Sequence, residues 1–201
     1  MTQMDFGAAR RAMIDSQLRT SGVNAPFVLD RMGTLPREDY VPDHARGFAY
    51  VDRAVPLGGG RFLAPALFHG TMLEEAKPRL GDRTLVVDGG SHYLPDLVAT
   101  LVGSLETISA DEAAALAQTG ADAGAGGEYD LLLVDGAVEK LPDALIAQVG
   151  DNGRVVTGLV RDGVTRLAIG RKVAGHVALL PLAEMGIPHL PQFDVAREWS
   201  F

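Results

Sequence analysis

The chain contains no cysteine, so it can form no disulfide, no thiolate metal site and no cysteine nucleophile, a composition suited to a reducing cytoplasm. It is also short of positive charge: 18 Lys and Arg stand against 26 Asp and Glu, for a net charge of −8 and a pI near 5.0. The basic residues occur singly or in pairs. Nucleic-acid binding draws most of its affinity from clustered Lys and Arg, so this pattern excludes it. No segment approaches the roughly 20 apolar residues of a membrane span, which leaves no membrane partner. Residues 1–19 are charged throughout and lack the apolar central run of a secretion signal, and a cytoplasmic protein is expected. His44, His69, His92, His176 and His189 show neither the i,i+4 pairing nor a Glu at metal-site spacing, so no metal is expected. The glycine run Gly58-Gly59-Gly60 is not followed by Lys-Ser or Lys-Thr and is no phosphate-binding P-loop.

What is present is a sequence of 201 residues, enough for one domain with a substantial core. It reads as an N-terminal helical and loop segment over 1–80 and an alternating α/β core over 81–201. Phe6, Ala9, Met13, Ile14 and Leu18 recur at helical spacing and predict a helix over 5–19. A second helix is expected from Asn24 as N-cap, through Pro26, to Gly33, with Pro36 confirming the break. Residues 34–65, rich in proline and glycine, read as ordered loop with short strands, and helix returns over 66–79. In the second half, strands at 84–88, 105–108, 130–134 and 154–160 alternate with helices led by Ser91 and Pro95, over 111–118 and over 141–149. That alternation predicts a parallel sheet with helices on both faces. Strands at 164–173 and 176–182, without helices between them, predict an antiparallel edge. Residues 119–127, TGADAGAGG, hold almost no β-branched or large apolar side chain where a doubly wound sheet would place another strand; a loop and a missing edge strand are expected there.

The run Leu85-Val86-Val87-Asp88-Gly89-Gly90-Ser91-His92-Tyr93-Leu94-Pro95 passes from a buried strand through a turn into a helix, where an open α/β sheet holds a nucleotide-type cofactor. Leu35-Pro36-Arg37-Glu38-Asp39-Tyr40-Val41-Pro42, then Ala49-Tyr50-Val51-Asp52, then Val55-Pro56-Leu57-Gly58 and Gly60, keep an order and spacing similar to the entry segment of the protein-L-isoaspartate O-methyltransferases. Glu128-Tyr129-Asp130-Leu131-Leu132-Leu133-Val134-Asp135-Gly136-Ala137 with Leu141-Pro142 resembles that family's fourth strand and loop, and Asn152-Gly153-Arg154-Val155-Val156 its fifth. The resemblance spans most of the chain. It implies a Rossmann-like, doubly wound, mostly parallel sheet of the class I methyltransferase type, S-adenosylmethionine as cofactor, and methyl transfer to the α-carboxylate of an isoaspartyl residue in a protein or peptide. By motif position, Asp88, Gly90, Ser91, Asp111 and Asp135 fall at the cofactor, and Arg61, Leu63 and Pro65 at the substrate.

Four departures from the family pattern meet at this one pocket. His92 and Leu94 stand where the glycine loop has its later glycines, placing side chains in line to fill part of the site. Ser109 replaces the acid that accepts from the ribose hydroxyls, with Asp111 as the nearby substitute. The 119–127 stretch replaces a strand and acidic loop at the adenine, leaving Asp122 as the only stand-in. Arg61 and Leu63 replace two hydroxyl residues at the substrate carboxylate, where Arg61 offers a bidentate fork instead. Two functions are therefore open: a methyltransferase acting on an acidic protein or peptide group, or a non-catalytic relative that keeps the fold as a binding or assembly module.

Overall fold

The computed structural model describes residues 4–118 and 128–195. Helix α1, Phe6–Met13, begins at Asp5, whose carboxylate accepts from the Ala8 N–H at 2.9 Å. It widens through Ile14–Leu18 and closes in a tight turn, Arg19–Ser21, at Gly22. Helix α2, Pro26–Thr34, is preceded by Ala25, not Asn24; the Asn24 backbone N–H donates instead to Glu74, 2.9 Å away. Two short 3-10 turns, Arg37–Tyr40 and Asp43–Phe48, lead to the hairpin of β1, Val55–Gly58, and β2, Arg61–Leu63. Gly58, Gly59 and Gly60 all carry positive φ there, which a side chain would strain. Helix α3, Ala66–Ala76, stops three residues before the expected end because Lys77, left-handed at φ 47°, precedes Pro78 and cannot continue it.

The core then alternates: β3 Arg83–Asp88, α4 Tyr93–Val98, β4 Ser104–Ser109, α5 Ala110–Gln118, β5 Tyr129–Val138, α6 Asp143–Gln148, β6 Val149–Arg161, β7 Val164–Val173, β8 His176–Val177 and β9 Leu180–Glu184. The strand order is β4-β3-β5-β6-β7, with both β8 and β9 paired to β7. Pairing is parallel from β4 to β6 and antiparallel from β6 onward. Among the described residues nothing pairs outside β4, consistent with a missing edge strand; residues 119–127 and Trp199 lie outside the described residues. The single strand expected over 176–182 is two pieces, because β8 holds the end of β7 at Lys172 and Val173 while β9 holds it at 166–169.

Leu131, Leu132, Leu133 and Val134 of β5 are buried on both faces, as their composition requires. One face, with Val86, Leu131 and Leu133, packs on α3 and α4 through Phe68, Met72, Leu94 and Leu97 and continues into the N-terminal helices at Met13, Leu18 and Met32. The other, with Leu85, Val87, Leu132 and Val134, packs on Ala113 and Leu145. The N-terminal segment is tied down by polar contacts as well: Arg10 pairs with Glu38 at 2.9 Å and donates to the Tyr50 hydroxyl at 2.8 Å, and that hydroxyl donates to Glu38. Burial, then the hydrogen bond to Glu38, pushes the Tyr50 phenol up to about 12. Among the described residues no helix is long and apolar enough to cross a membrane.

Candidate functional site

The carboxyl ends of β3 and β4 lie beside the place where the chain, having run outward from β3 to β4, returns across β3 to build β5. Open α/β sheets bind ligands at this reversal. A crevice of about 200 Å³ opens there, walled by the Gly59-Gly60-Arg61 turn, by Asp88 to Gly90, by Ser109 to Asp111 and by Leu190 to Gln192. A larger depression of about 710 Å³ lies between α6 and the β7–β8 hairpin. It faces no strand end from β3 or β4, so topology favours the smaller crevice.

Asp88 ends β3 and is only 4% exposed. Its carboxylate accepts from the His92 N–H at 3.1 Å and faces His92 Nδ1 at 3.3 Å. Burial, then the neighbouring charge of Asp135, raises its pKa above the ordinary carboxylate value. Gly89 sits so close to β5 that a Cβ on it would stand 2.2 Å from the Asp135 carbonyl oxygen. Gly90, at φ 103°, is covered by the aliphatic part of Arg61: a Cβ would meet Arg61 Cδ at 2.6 Å. Arg61 thus closes the crevice with a flexible, exposed side chain that, among the described residues, is anchored by a long contact from Nε to the Gly58 carbonyl, 3.4 Å.

The two residues at the later glycine positions do not enter the crevice. His92 keeps the left-handed backbone a glycine would supply, φ 60°, while its side chain is 75% exposed. Leu94 points the other way, fully buried in the core of α3 and α4. The expected filling of the pocket by these side chains is therefore not what narrows it; Arg61 and the C-terminal strap do that. Ser91 is buried, and its hydroxyl accepts from the Tyr93 N–H at 3.2 Å, a local turn at the start of α4.

Ser109 is committed to its helix. Its N–H and hydroxyl both donate to the Glu112 carboxylate at 2.8 Å, and its oxygen accepts from the Glu112 N–H at 3.2 Å, a reciprocal cap at the start of α5. These bonds lower the Glu112 pKa. Asp111 faces the crevice and accepts from Gln192 Nε2 at 2.9 Å. The strap carrying Gln192 is laid across the end of β5: the Ala137 N–H donates to Pro188 at 2.8 Å, and the Leu190 N–H to Ala137 at 2.9 Å. Leu190 fits against Gly136, where any Cβ would come within 2.5 Å of its Cγ. Of the residues expected at the substrate, Arg61 lines the crevice; Leu63 and Pro65 are buried outside its walls.

Behind the crevice stands a buried group that no sequence motif announced. His69 of α3, fully buried, approaches Asp135 Oδ1 with Nε2 at 2.8 Å and Arg37 with Nδ1 at 3.3 Å. The Arg37 guanidinium, itself fully buried, donates from Nε to the Ala49 carbonyl at 2.9 Å and from Nη2 to the Ala64 carbonyl at 2.7 Å, and lies 4.7 Å from the Tyr93 ring centre. Helix α3 reads as apolar packing around His69, and only the tertiary fold brings Arg37 and Asp135 to it. Spacing alone could not have found this contact.

The fold is Rossmann-like and of the class I methyltransferase type, with the candidate crevice at the carboxyl ends of β3 and β4. The family model for protein-L-isoaspartate(D-aspartate) O-methyltransferase matches residues 8–124. The protein-L-isoaspartate O-methyltransferase of Koribacter versatilis is 32% identical over 86% of this chain and 86% of its own. That of Roseiflexus castenholzii is 34% identical over 76% of this chain and 78% of its own. A Plasmodium falciparum protein assigned to the same activity, crystallised with S-adenosyl-L-homocysteine, superposes with a TM-score of 0.69 at 15% identity, covering 94% of this chain and 100% of its own. The chain belongs to the protein-L-isoaspartate O-methyltransferase family.

Proposed function

We propose that this chain transfers the methyl group of S-adenosylmethionine to the α-carboxylate of an L-isoaspartyl residue in a protein or peptide. The observation that carries this reading is the backbone of the β3 loop. Gly90 and His92 both hold positive φ, so the loop keeps the shape that glycines give it, and Asp88 still stands at its entrance. The crevice, about 200 Å³, is below the roughly 300–1,000 Å³ usual for ligand pockets. Yet part of what narrows it, beside the strap at Leu190 to Gln192, is the exposed Arg61 side chain, which can swing outward without disturbing the fold. The residues fit the cofactor on that condition.

Asp88 and Gly90 would hold its amino-acid end, and Asp111 the ribose hydroxyls once released by Gln192. The cofactor supplies an electrophilic methyl group on a sulfonium sulfur. A carboxylate is already ionised at neutral pH and needs no general base to react, so the absence of a His or Ser triad costs nothing. The chain's task is to align the reacting atoms and exclude water. Arg61, at the crevice mouth, is the group that would grip the substrate carboxylate, and in doing so it would leave Gly90 open.

The test is a titration of the purified protein with S-adenosylmethionine followed by melting temperature, together with methyl transfer to an isoaspartyl peptide and its aspartyl counterpart. A ligand at a hundredfold excess over its dissociation constant stabilises by about 2.7 kcal/mol. Binding with methylation of the isoaspartyl peptide alone is expected. No shift at about 1 mM ligand, where even a weak site would respond, leaves the fold serving as a binding or assembly module. Arg61→Ala should raise the peptide KM by about tenfold or more, the scale of a lost charged hydrogen bond, without weakening the cofactor.

A further inference from the structure

The register of the sheet places two carboxylates side by side. Val87 pairs with Val134, so the next residues along, Asp88 at the end of β3 and Asp135 within β5, lie side by side on the same face of adjacent parallel strands, about 4.8 Å apart by strand spacing. Both are buried. Asp135 Oδ1 is engaged by His69, but its Oδ2 is buried with no hydrogen-bond partner among the described residues.

His69 is held to one tautomer. Arginine can only donate, so the contact from Arg37 makes Nδ1 an acceptor, which leaves the ring proton on Nε2, pointing at Asp135. A second ring proton, on Nδ1, would set an N–H against the Arg37 N–H, a clash this tautomer avoids. It gives Asp135 a hydrogen bond without giving it a counter-charge.

The other groups facing the pair do not supply one either. His92 on the α4 side lies against Asp88 but is largely in water, Tyr93 presents a buried neutral phenol against the His69 ring, 5.2 Å between centres, and Arg61 lies over Gly90 with its guanidinium exposed. Asp111, across the crevice, is a further acid taken by Gln192. Two adjacent buried carboxylates with no cation between them cannot both remain ionised cheaply.

We propose that His69 is a positioning residue that keeps Asp135 ionised and so leaves the pair's proton on Asp88, and that the crevice admits a ligand ammonium group in exchange for that proton. This rests on the cofactor reading above, since the amino-acid end of an adenosyl cofactor is the ammonium in question. The balance is simple: one proton leaves Asp88 for solvent, and one ammonium takes its place on the Asp88 carboxylate at the crevice wall. Binding therefore weakens as pH falls, because the proton competes with the ligand. The arrangement also assigns Asp135 a role in affinity without contact with the crevice surface.

The experiment has two arms. Carboxyl carbons are followed by NMR through a pH titration of the ligand-free protein. Asp88 is expected to titrate above the ordinary carboxylate range and Asp135 within or below it. His69→Gln, which keeps an N–H donor, should preserve that assignment; His69→Phe should move the high titration from Asp88 to Asp135, which loss of packing alone would not do. Both carboxyls titrating normally in the wild type overturns the inference. In the second arm, S-adenosylhomocysteine is titrated calorimetrically at mildly acidic pH in buffers of differing ionisation enthalpy. The wild type is expected to release close to one proton per ligand and Asp135→Asn none, with the Asn side chain still able to accept from His69 so that the fold stands. Binding without proton release overturns this inference and leaves the cofactor site intact. No binding at any pH overturns the cofactor reading, and the exchange with it.

Discussion

His92 is left-handed at φ 60° without being glycine, a backbone state that costs an ordinary residue about 1–2 kcal/mol. Its imidazole recovers part of that by lying on Asp88. Replacing it by glycine should raise the unfolding free energy by about 1 kcal/mol, the strain less the lost pairing, as read by denaturant titration. Leu94 has the opposite character. It is core, so Leu94→Ala should cost about 2–5 kcal/mol and leave the crevice no wider, which a ligand titration of the folded fraction would show. Asp88 adds a pH signature. Its carboxyl binds a proton more tightly folded than unfolded, so it erodes stability as pH rises from the ordinary carboxylate value through the raised one. Asp88→Asn should therefore gain melting temperature over the wild type at neutral pH and little of it near pH 4, while abolishing cofactor binding.

The elements around the crevice each carry a second duty. Ser109 caps α5 through Glu112, and Ser109→Ala should cost about 1 kcal/mol of stability, measured by thermal unfolding, whether or not a cofactor binds. The β3 loop is pressed against β5 at Gly89. Gly89→Ala would force the two strand ends apart, at the 1–3 kcal/mol typical of overpacking, roughly, and with loss of the Asp88–Asp135 alignment. The strap is anchored by buried Leu190 and Phe193, so the exposed hydrogen bond from Gln192 to Asp111 is the part that can be removed without releasing it. Gln192→Ala should free Asp111 and tighten cofactor binding, seen as a lower dissociation constant with an unchanged melting temperature for the free protein.

For the molecule as a whole, β-strand existence and order of types were legible because apolar runs bounded by turn residues leave few alternatives. The strand expected over 164–173, with no helix after it, is found at those bounds, and the three leucines of β5 mark the centre of the sheet. Helix ends were less legible. Asn24 has the chemistry of a cap, but its N–H is drawn to Glu74, fifty positions along the chain. The acids and glycines of the crevice were also readable, since their spacing survives in motifs. The buried contact of His69 with Asp135 behind them was not.

The sequence by itself determined the α/β architecture, the family, and the place of the crevice at Asp88 and Gly90, because these rest on local patterning and short-range spacing. Only the tertiary structure decided what that crevice is like. It sent Leu94 into the core and His92 to solvent, since side-chain direction follows backbone angles that the residue names do not fix. It laid Arg61 across Gly90. It also set Arg37, His69 and Asp135, from a turn, a helix and a strand, in one buried line, where the loss of solvent makes each charge depend on its neighbours.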